Sequence, residues 1–214
     1  MALTNFQRYR RIARFYDLLE LPFERKRYRL LRPLMFQGLA GHILDAGVGT
    51  GRNFPFYPPG ATVVGLDISP AMLAEAERRL NEATAPVELL GMDVTRLDFP
   101  DASFDAAVAT FLFCVLDEEL QVPGLRELGR VVKPGGSIRL LEYVRPGGLW
   151  RRFLTRLWQP WIAWAYGASF DRSTEAYIRP AGLELVEARF VVADLIKLIE
   201  ARRCRRFEPG VTPL

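Results

Sequence analysis

Cysteine, histidine and lysine are scarce in this chain of 214 residues. Its two cysteines, Cys114 and Cys204, give neither a disulfide framework nor a metal-ligand spacing. No metal is therefore expected, and a reducing, cytoplasmic setting fits. The single histidine, His42, opens a short apolar segment and reads as structural, so no histidine base is expected. Lysine occurs only at Lys26, Lys133 and Lys197, which leaves the net charge of +4 resting on arginine. No apolar run approaches the ~20 residues that cross a bilayer; the longest is Ala106 to Leu116. The opening stretch, Met1 to Tyr16, is polar and arginine-rich, unlike a secretory signal. Repeats, low-complexity tracts and linkers are also missing, so one domain over 1–214 is expected.

What is present begins with arginine. It clusters at Arg8, Arg10, Arg11 and Arg14, around Arg25 to Arg29, and at Arg202, Arg203, Arg205 and Arg206. Such clusters suit an anionic partner, a lipid surface or nucleic acid, and equally a solvated face.

Hydrophobic periodicity predicts a helix over 4–20, with Tyr9, Ile12, Tyr16 and Leu19 on one face, and a second over 23–37 after Pro22. Strand and helix then alternate. Strands are predicted at His42 to Ala46, Ala61 to Leu66, Pro86 to Leu90, Phe104 to Thr110 and Ser137 to Val144. Helices are predicted from a Ser69-Pro70 cap through about Asn81, and over Glu118 to Val132. Lys133 to Gly136 reads as a hard turn. This alternation implies parallel βαβ units. Near the end, Leu183 to Val192 and Leu195 to Ala201 are separated only by Ala193-Asp194. A link that short demands an antiparallel hairpin.

A glycine loop, Asp45-Ala46-Gly47-Val48-Gly49-Thr50-Gly51, follows the first of these strands. Glycines there let the backbone turn sharply and approach a ligand. The spacing is not that of a dinucleotide fingerprint, whose third glycine would fall at Arg52. Asp45 would repel a pyrophosphate and suits a cofactor bearing an ammonium and a sulfonium. Asp67 ends the second strand, 20 residues after Gly47, where a carboxylate can accept hydrogen bonds from both ribose hydroxyls. After the third strand, Met92 and Val94 can sandwich an adenine while Asp93 accepts from its amine.

Together, Asp45 to Gly51, Gly65 to Ser69 with Met72-Leu73, Met92-Asp93, Phe99 to Asp105 and Arg130 to Gly136 resemble the class I S-adenosylmethionine methyltransferases, over roughly 40–145. The resemblance implies a Rossmann-like α/β sheet over 39–214, mostly parallel with a C-terminal antiparallel hairpin, beneath an N-terminal helical lid over 1–38. It implies S-adenosyl-L-methionine as cofactor, held by Tyr16, Asp45, Gly47, Gly49, Gly51, Asn53, Asp67, Ile68, Met72, Met92, Asp93, Val94, Thr110 and Phe111. Within the superfamily, Phe15-Tyr16-Asp17 resembles the bacterial phosphatidylethanolamine N-methyltransferases and quinone C-methyltransferases. Asn53 to Gly60 and Glu142-Tyr143-Val144 resemble the membrane-associated alkyl-thiol methyltransferases, from which the chain departs by carrying Tyr143 in place of histidine.

Methyl transfer asks the protein mainly for alignment and a dry cavity. Acceptor contacts are expected from Tyr16, Thr110, Phe111, Cys114, Glu142 and Tyr143. Among these, Tyr16, Glu142 and Tyr143 are the candidate catalytic residues, with Glu142 as a base or a counter-charge for an ammonium. Tyr16 on a core face and Glu142 as an ordinary strand-end carboxylate stay open. Cys114 reads as a small apolar core residue.

All four tryptophans, Trp150, Trp158, Trp161 and Trp164, share one face of a predicted helix with Phe153, Leu154 and Leu157, opposite Arg151, Arg152 and Arg156. That pattern suits either peripheral contact with an anionic inner membrane face or a helix lining the acceptor pocket. Both imply a lipid or amphiphilic acceptor, with a phosphatidylethanolamine amine favoured over a thiol, another small molecule or a quinone. A nicotinamide-dependent oxidoreductase is disfavoured by Arg52 and Asp45. Nucleic acid is disfavoured because the fourth strand runs into Thr110 to Phe113, not an Asn/Asp-Pro-Pro-aromatic element. Oligomeric state is not legible.

Overall fold

The computed structural model describes residues 28–144, 146–148 and 173–203. The expected helix over 4–20, most of the arginine clusters, Tyr16 and the tryptophan stretch lie outside the described residues. The elements, in chain order, are α1 (Arg29–Phe36), β1 (His42–Ala46), β2 (Thr62–Asp67), α2 (Pro70–Glu77), β3 (Val87–Gly91), β4 (Phe104–Thr110), α3 (Glu118–Val131), β5 (Val132–Tyr143), β6 (Leu183–Val192) and β7 (Ile196–Arg203). Short 3₁₀ turns lie at Phe54–Phe56, Leu80–Glu82 and Thr174–Tyr177.

The strands form one seven-stranded sheet in the order β3-β2-β1-β4-β5-β7-β6. The first five pair in parallel, and β7 pairs antiparallel with both β5 and β6. This is the Rossmann-like methyltransferase architecture the motifs imply. Between β1 and β4 the strand order reverses. Beyond their carboxyl ends such a switch point leaves a crevice that loops can line.

Side-chain alternation decides the two faces of the sheet. Leu44 and Ala46 of β1 join Phe104, Ala107, Leu125, Leu128, Ile138 and Leu140 in a core beneath α3. Ile43 points the other way, into a second core with Met35, Phe36, Phe54 and Tyr57 beneath α1. The alanines of β4, all buried, let elements approach the central strand closely from both faces.

Several boundaries depart from the sequence pattern. The helix from Pro70 ends at Glu77, because the chain tightens to three-residue bonds: Arg79 N–H donates to Ala76 O (2.8 Å) and Glu82 N–H to Arg79 O (2.8 Å). Ser69 supplies no side-chain cap, and its buried hydroxyl lacks a partner. Lys133 to Gly136 does turn, but as a bulge within β5. Pairing passes from Phe104 with Val132 to Ala106 with Ser137, and Gly135 takes φ +81°. The hairpin link is three residues, not two, and Ala193 takes φ +44° within it.

The Phe99–Asp105 and Arg130–Gly136 motifs serve the scaffold. The Arg130 guanidinium donates to Leu97 O (2.8 Å), Phe99 O (2.7 Å), Asp101 and both oxygens of Glu127, locking the segment before β4 onto α3. Arg203, from the last basic cluster, is likewise turned inward, donating to Arg130 O and Val132 O. Ring stacking of His42 on Phe104, with centroids 4.5 Å apart, gives that histidine its structural place. Among the described residues no helix is long and apolar enough to cross a membrane.

Candidate active site

A cavity of about 280 Å³ opens beyond the carboxyl ends of β1, β2, β3 and β4. One wall is the glycine loop. Gly47 and Val48 both donate their N–H to Leu66 O (2.8 and 2.9 Å), which pins the loop over the end of β2. Gly47 and Gly49 line the cavity, and both take positive φ (+72° and +57°), a conformation that disfavours any side chain.

Asp67 stands at the end of β2. Its Oδ2 accepts from Gly49 N–H (3.0 Å) and its Oδ1 from Ser69 N–H (2.8 Å). Each oxygen thus has one backbone donor and keeps acceptor capacity on the cavity side. Burial pushes this carboxyl up to about 6, against the pull of those two N–H groups. Ile68, Met72, Met92, Asp93 and Val94 complete that side. Asp93 is fixed by Thr95, whose N–H and hydroxyl both donate to its Oδ1 (2.8 Å each). Thr110 and Phe111 form the opposite wall.

The structure thus brings ten of the expected cofactor residues to one cavity: Gly47, Gly49, Asp67, Ile68, Met72, Met92, Asp93, Val94, Thr110 and Phe111. A paired-oxygen carboxylate, flanking apolar side chains and two loop glycines without Cβ atoms could hold a ribose, an adenine and the chain joining them. This donor set fits S-adenosylmethionine.

Three others sit elsewhere. Asp45 does not face the cavity; it is fully buried on the α1 side of the sheet, because β1 alternation sends it there with Ile43. Its Oδ2 accepts from the Tyr57 phenol (2.7 Å) and from Asn53 Nδ2 (2.9 Å). Desolvation raises its carboxyl to about 6, and it also pushes the Tyr57 phenol up. Asn53 is spent within the same network, donating to Thr110 Oγ1 (3.2 Å) and accepting from the buried Arg32 guanidinium (2.8 Å). Gly51 packs against Phe54, where a Cβ would lie 2.5 Å from the ring.

Glu142 also departs from its expected role. It is fully buried, and its carboxylate accepts from the N–H groups of Leu112 (3.1 Å), Phe113 (2.9 Å) and Cys114 (2.9 Å). It faces the protein's own backbone, not an acceptor. Burial raises it to about 7. Cys114 is buried beside it, with its thiol pushed well up by desolvation, as a packed core residue would be. Tyr143 stacks on Phe111 (5.1 Å, 28°), and its hydroxyl hydrogen-bonds that of Tyr28. Tyr28 in turn packs on Phe111 (4.9 Å).

Leu112, Val115, Leu116, Asp117 and Leu120 line the cavity without having been read from the sequence. The only signal for the four apolar ones is their spacing running into α3, which does not say which face meets a ligand.

Comparison with known proteins agrees with this geometry. Residues 43–136 match the model of a methyltransferase domain family. A demethylmenaquinone methyltransferase of Thermus thermophilus is 33% identical over 160 residues, covering 68% of this chain and 71% of that protein. The chain belongs to the class I S-adenosylmethionine-dependent methyltransferases. Other relatives of this methyltransferase are a phosphatidylethanolamine N-methyltransferase of Cereibacter sphaeroides, 41% identical over 105 residues (48% of this chain, 51% of that protein), and a human thiol S-methyltransferase, 34% identical over 139 residues (62% and 55%). The aligned part of the chain thus spans about half the length of these two relatives. A solved Thermotoga maritima S-adenosylmethionine-dependent methyltransferase, described as a possible histamine N-methyltransferase, shares the fold with a TM-score of 0.69 at 20% identity, over 92% of this chain and 99% of that one. S-adenosylmethionine is the cofactor of this family, and the cavity is its candidate site.

Proposed function

We propose that this methyltransferase acts on a lipid or amphiphilic acceptor, with the amine of phosphatidylethanolamine favoured. The observation that carries the proposal is the 41% identity over 105 residues to a phosphatidylethanolamine N-methyltransferase. The apolar cluster of Tyr28, Phe111 and Tyr143 beside the cavity supports it. So does the tryptophan- and arginine-rich stretch Trp150 to Trp164, whose pattern suits peripheral contact with an anionic membrane.

When bound, S-adenosylmethionine supplies an electrophilic methyl on a sulfonium that leaves as a neutral thioether. The protein's task is then alignment and exclusion of water. Asp67 would hold the ribose, Met92, Asp93 and Val94 would hold the adenine, and Thr110 and Phe111 would border the methyl-bearing end. An amine acceptor attacks through its neutral nitrogen, so the stacked rings of Phe111 and Tyr143 favour the reaction by lowering the local polarity.

A quinone or thiol acceptor is the second reading, favoured by the longer matches to relatives of those kinds. The test is incubation with a radiolabelled methyl donor and a total bacterial lipid and small-molecule extract, followed by organic–aqueous partition. Label should enter the organic phase and migrate with methylated phosphatidylethanolamine. Organic label migrating with a quinone moves the assignment to the second reading. Label confined to the aqueous phase overturns the lipid proposal.

A further inference from the structure

We infer that Glu142 is a positioning residue that holds the Phe111–Cys114 segment in a cofactor-ready shape before any ligand binds. The inference concerns the cofactor side of the site and does not depend on which acceptor is used.

The chain leaves β4 through an awkward residue. Phe111 takes φ +57°, a left-handed conformation that a bulky side chain avoids. Its own N–H is anchored to Leu141 O (2.8 Å), and the Cys114 thiol reaches its carbonyl at 3.4 Å. The next three N–H groups, of Leu112, Phe113 and Cys114, converge on the one carboxylate of Glu142 at 3.1, 2.9 and 2.9 Å. Successive N–H groups curled toward one point make an anion-binding nest. Here the anion is built into the neighbouring strand. Glu142 is fully buried, so water does not replace it, and without it these donors would lose their partner.

The segment so held is functional surface. Phe111 and Leu112 line the cavity. Leu112 also backs directly against the glycine loop, where a Cβ on Gly47 would lie 3.0 Å from its Cδ1 and 3.2 Å from its Cβ. Phe113 points away, into the core beneath α3, close to Gly124. A single carboxylate therefore fixes the distance between two walls of the cofactor cavity from behind, through backbone donors, without touching the cavity itself.

The test compares Glu142→Gln with a control of similar burial that neither lines the cavity nor bonds the three N–H groups, Leu128→Ala in α3. The readouts are thermal stability and the dissociation constant for S-adenosylhomocysteine by calorimetry. The amide of glutamine turns a donor toward at least one of the three N–H groups. Glu142→Gln should raise the dissociation constant about tenfold or more at a temperature where it is folded. Leu128→Ala should lose stability with its binding within about twofold of wild type. An unchanged dissociation constant in Glu142→Gln, with only a fall in melting temperature like that of the control, overturns the inference. Amide hydrogen exchange of the wild-type protein tests it without any variant. The amides of Leu112, Phe113 and Cys114 should be protected like those of the core strands in the absence of cofactor. Rapid exchange that slows only when S-adenosylhomocysteine is added would mean that the ligand, not Glu142, orders the segment, and would also overturn it.

Discussion

The phenol of Tyr57 donates a 2.7 Å hydrogen bond to the Oδ2 atom of Asp45, and both residues are buried. It is one of few polar partners available to a carboxylate taken wholly out of water. Tyr57→Phe should keep the ring contacts with Phe36 and Phe54 and remove only this donor. The expected cost is about 1–3 kcal/mol of stability near neutral pH, measured by urea denaturation.

The same pair sets a pH dependence. Burial raises Asp45 from 3.8 to about 6, so the folded chain binds this proton more tightly than the unfolded one. The stability it brings is present in full below about pH 4 and is lost as pH rises toward 6. Removing the Tyr57 phenol takes away a group that lowers this carboxyl. In Tyr57→Phe the decline with rising pH should therefore extend above 6. Denaturation midpoints collected from pH 4 to 8 check the sign; a window unchanged from wild type would contradict it.

Asp67 should govern cofactor affinity. Its ionised form accepts ribose hydroxyls best, and burial raises this carboxyl from 3.8 to about 6. Affinity for S-adenosylhomocysteine should fall as pH drops below about 6. Asp67→Asn should bind roughly 10–100-fold more weakly at pH 8 and lose most of that pH dependence, as read by calorimetry.

Two glycines of the same loop should respond differently to alanine. In Gly51→Ala the new Cβ meets the rigid Phe54 ring at 2.5 Å on a backbone at φ +81°. A loss of at least about 2 kcal/mol of stability is expected. In Gly47→Ala the contact is with Leu112, part of the cavity wall, so weakened cofactor binding should exceed the loss of stability. Chemical denaturation and a cofactor titration on both variants separate the two effects.

Tyr143→Phe removes a hydroxyl paired with Tyr28 and keeps the ring stacked on Phe111. If Tyr143 belongs to the acceptor side, kcat/KM for the acceptor should fall about tenfold while the cofactor dissociation constant stays constant. A rise in that dissociation constant matching the fall in kcat/KM would place the residue behind the cofactor instead.

Much of this protein is legible in its residues. The strand–helix alternation, the hairpin, the glycine loop and the carboxylates Asp67 and Asp93 depend on local pattern, and short-range periodicity reports local pattern well. Boundaries shifted where α2 tightened to local three-residue bonds after Glu77 and where pairing with β4 absorbed the Lys133–Gly136 turn into β5.

What the sequence determined by itself is therefore the order of elements and the cofactor chemistry, since loop glycines and strand-end carboxylates act through positions fixed within a few residues. Only the tertiary structure decided which way each acid points. Register puts Asp45 and Asp67 on the same face of the sheet, yet Asp45, inside β1, is sealed by Tyr57 and Asn53, while Asp67, the last residue of β2, reaches the cavity beyond the strand ends. Glu142 meets the backbone of Leu112 to Cys114 across some thirty residues of chain. No spacing rule within one strand can report a hydrogen bond made by the pairing of two strands.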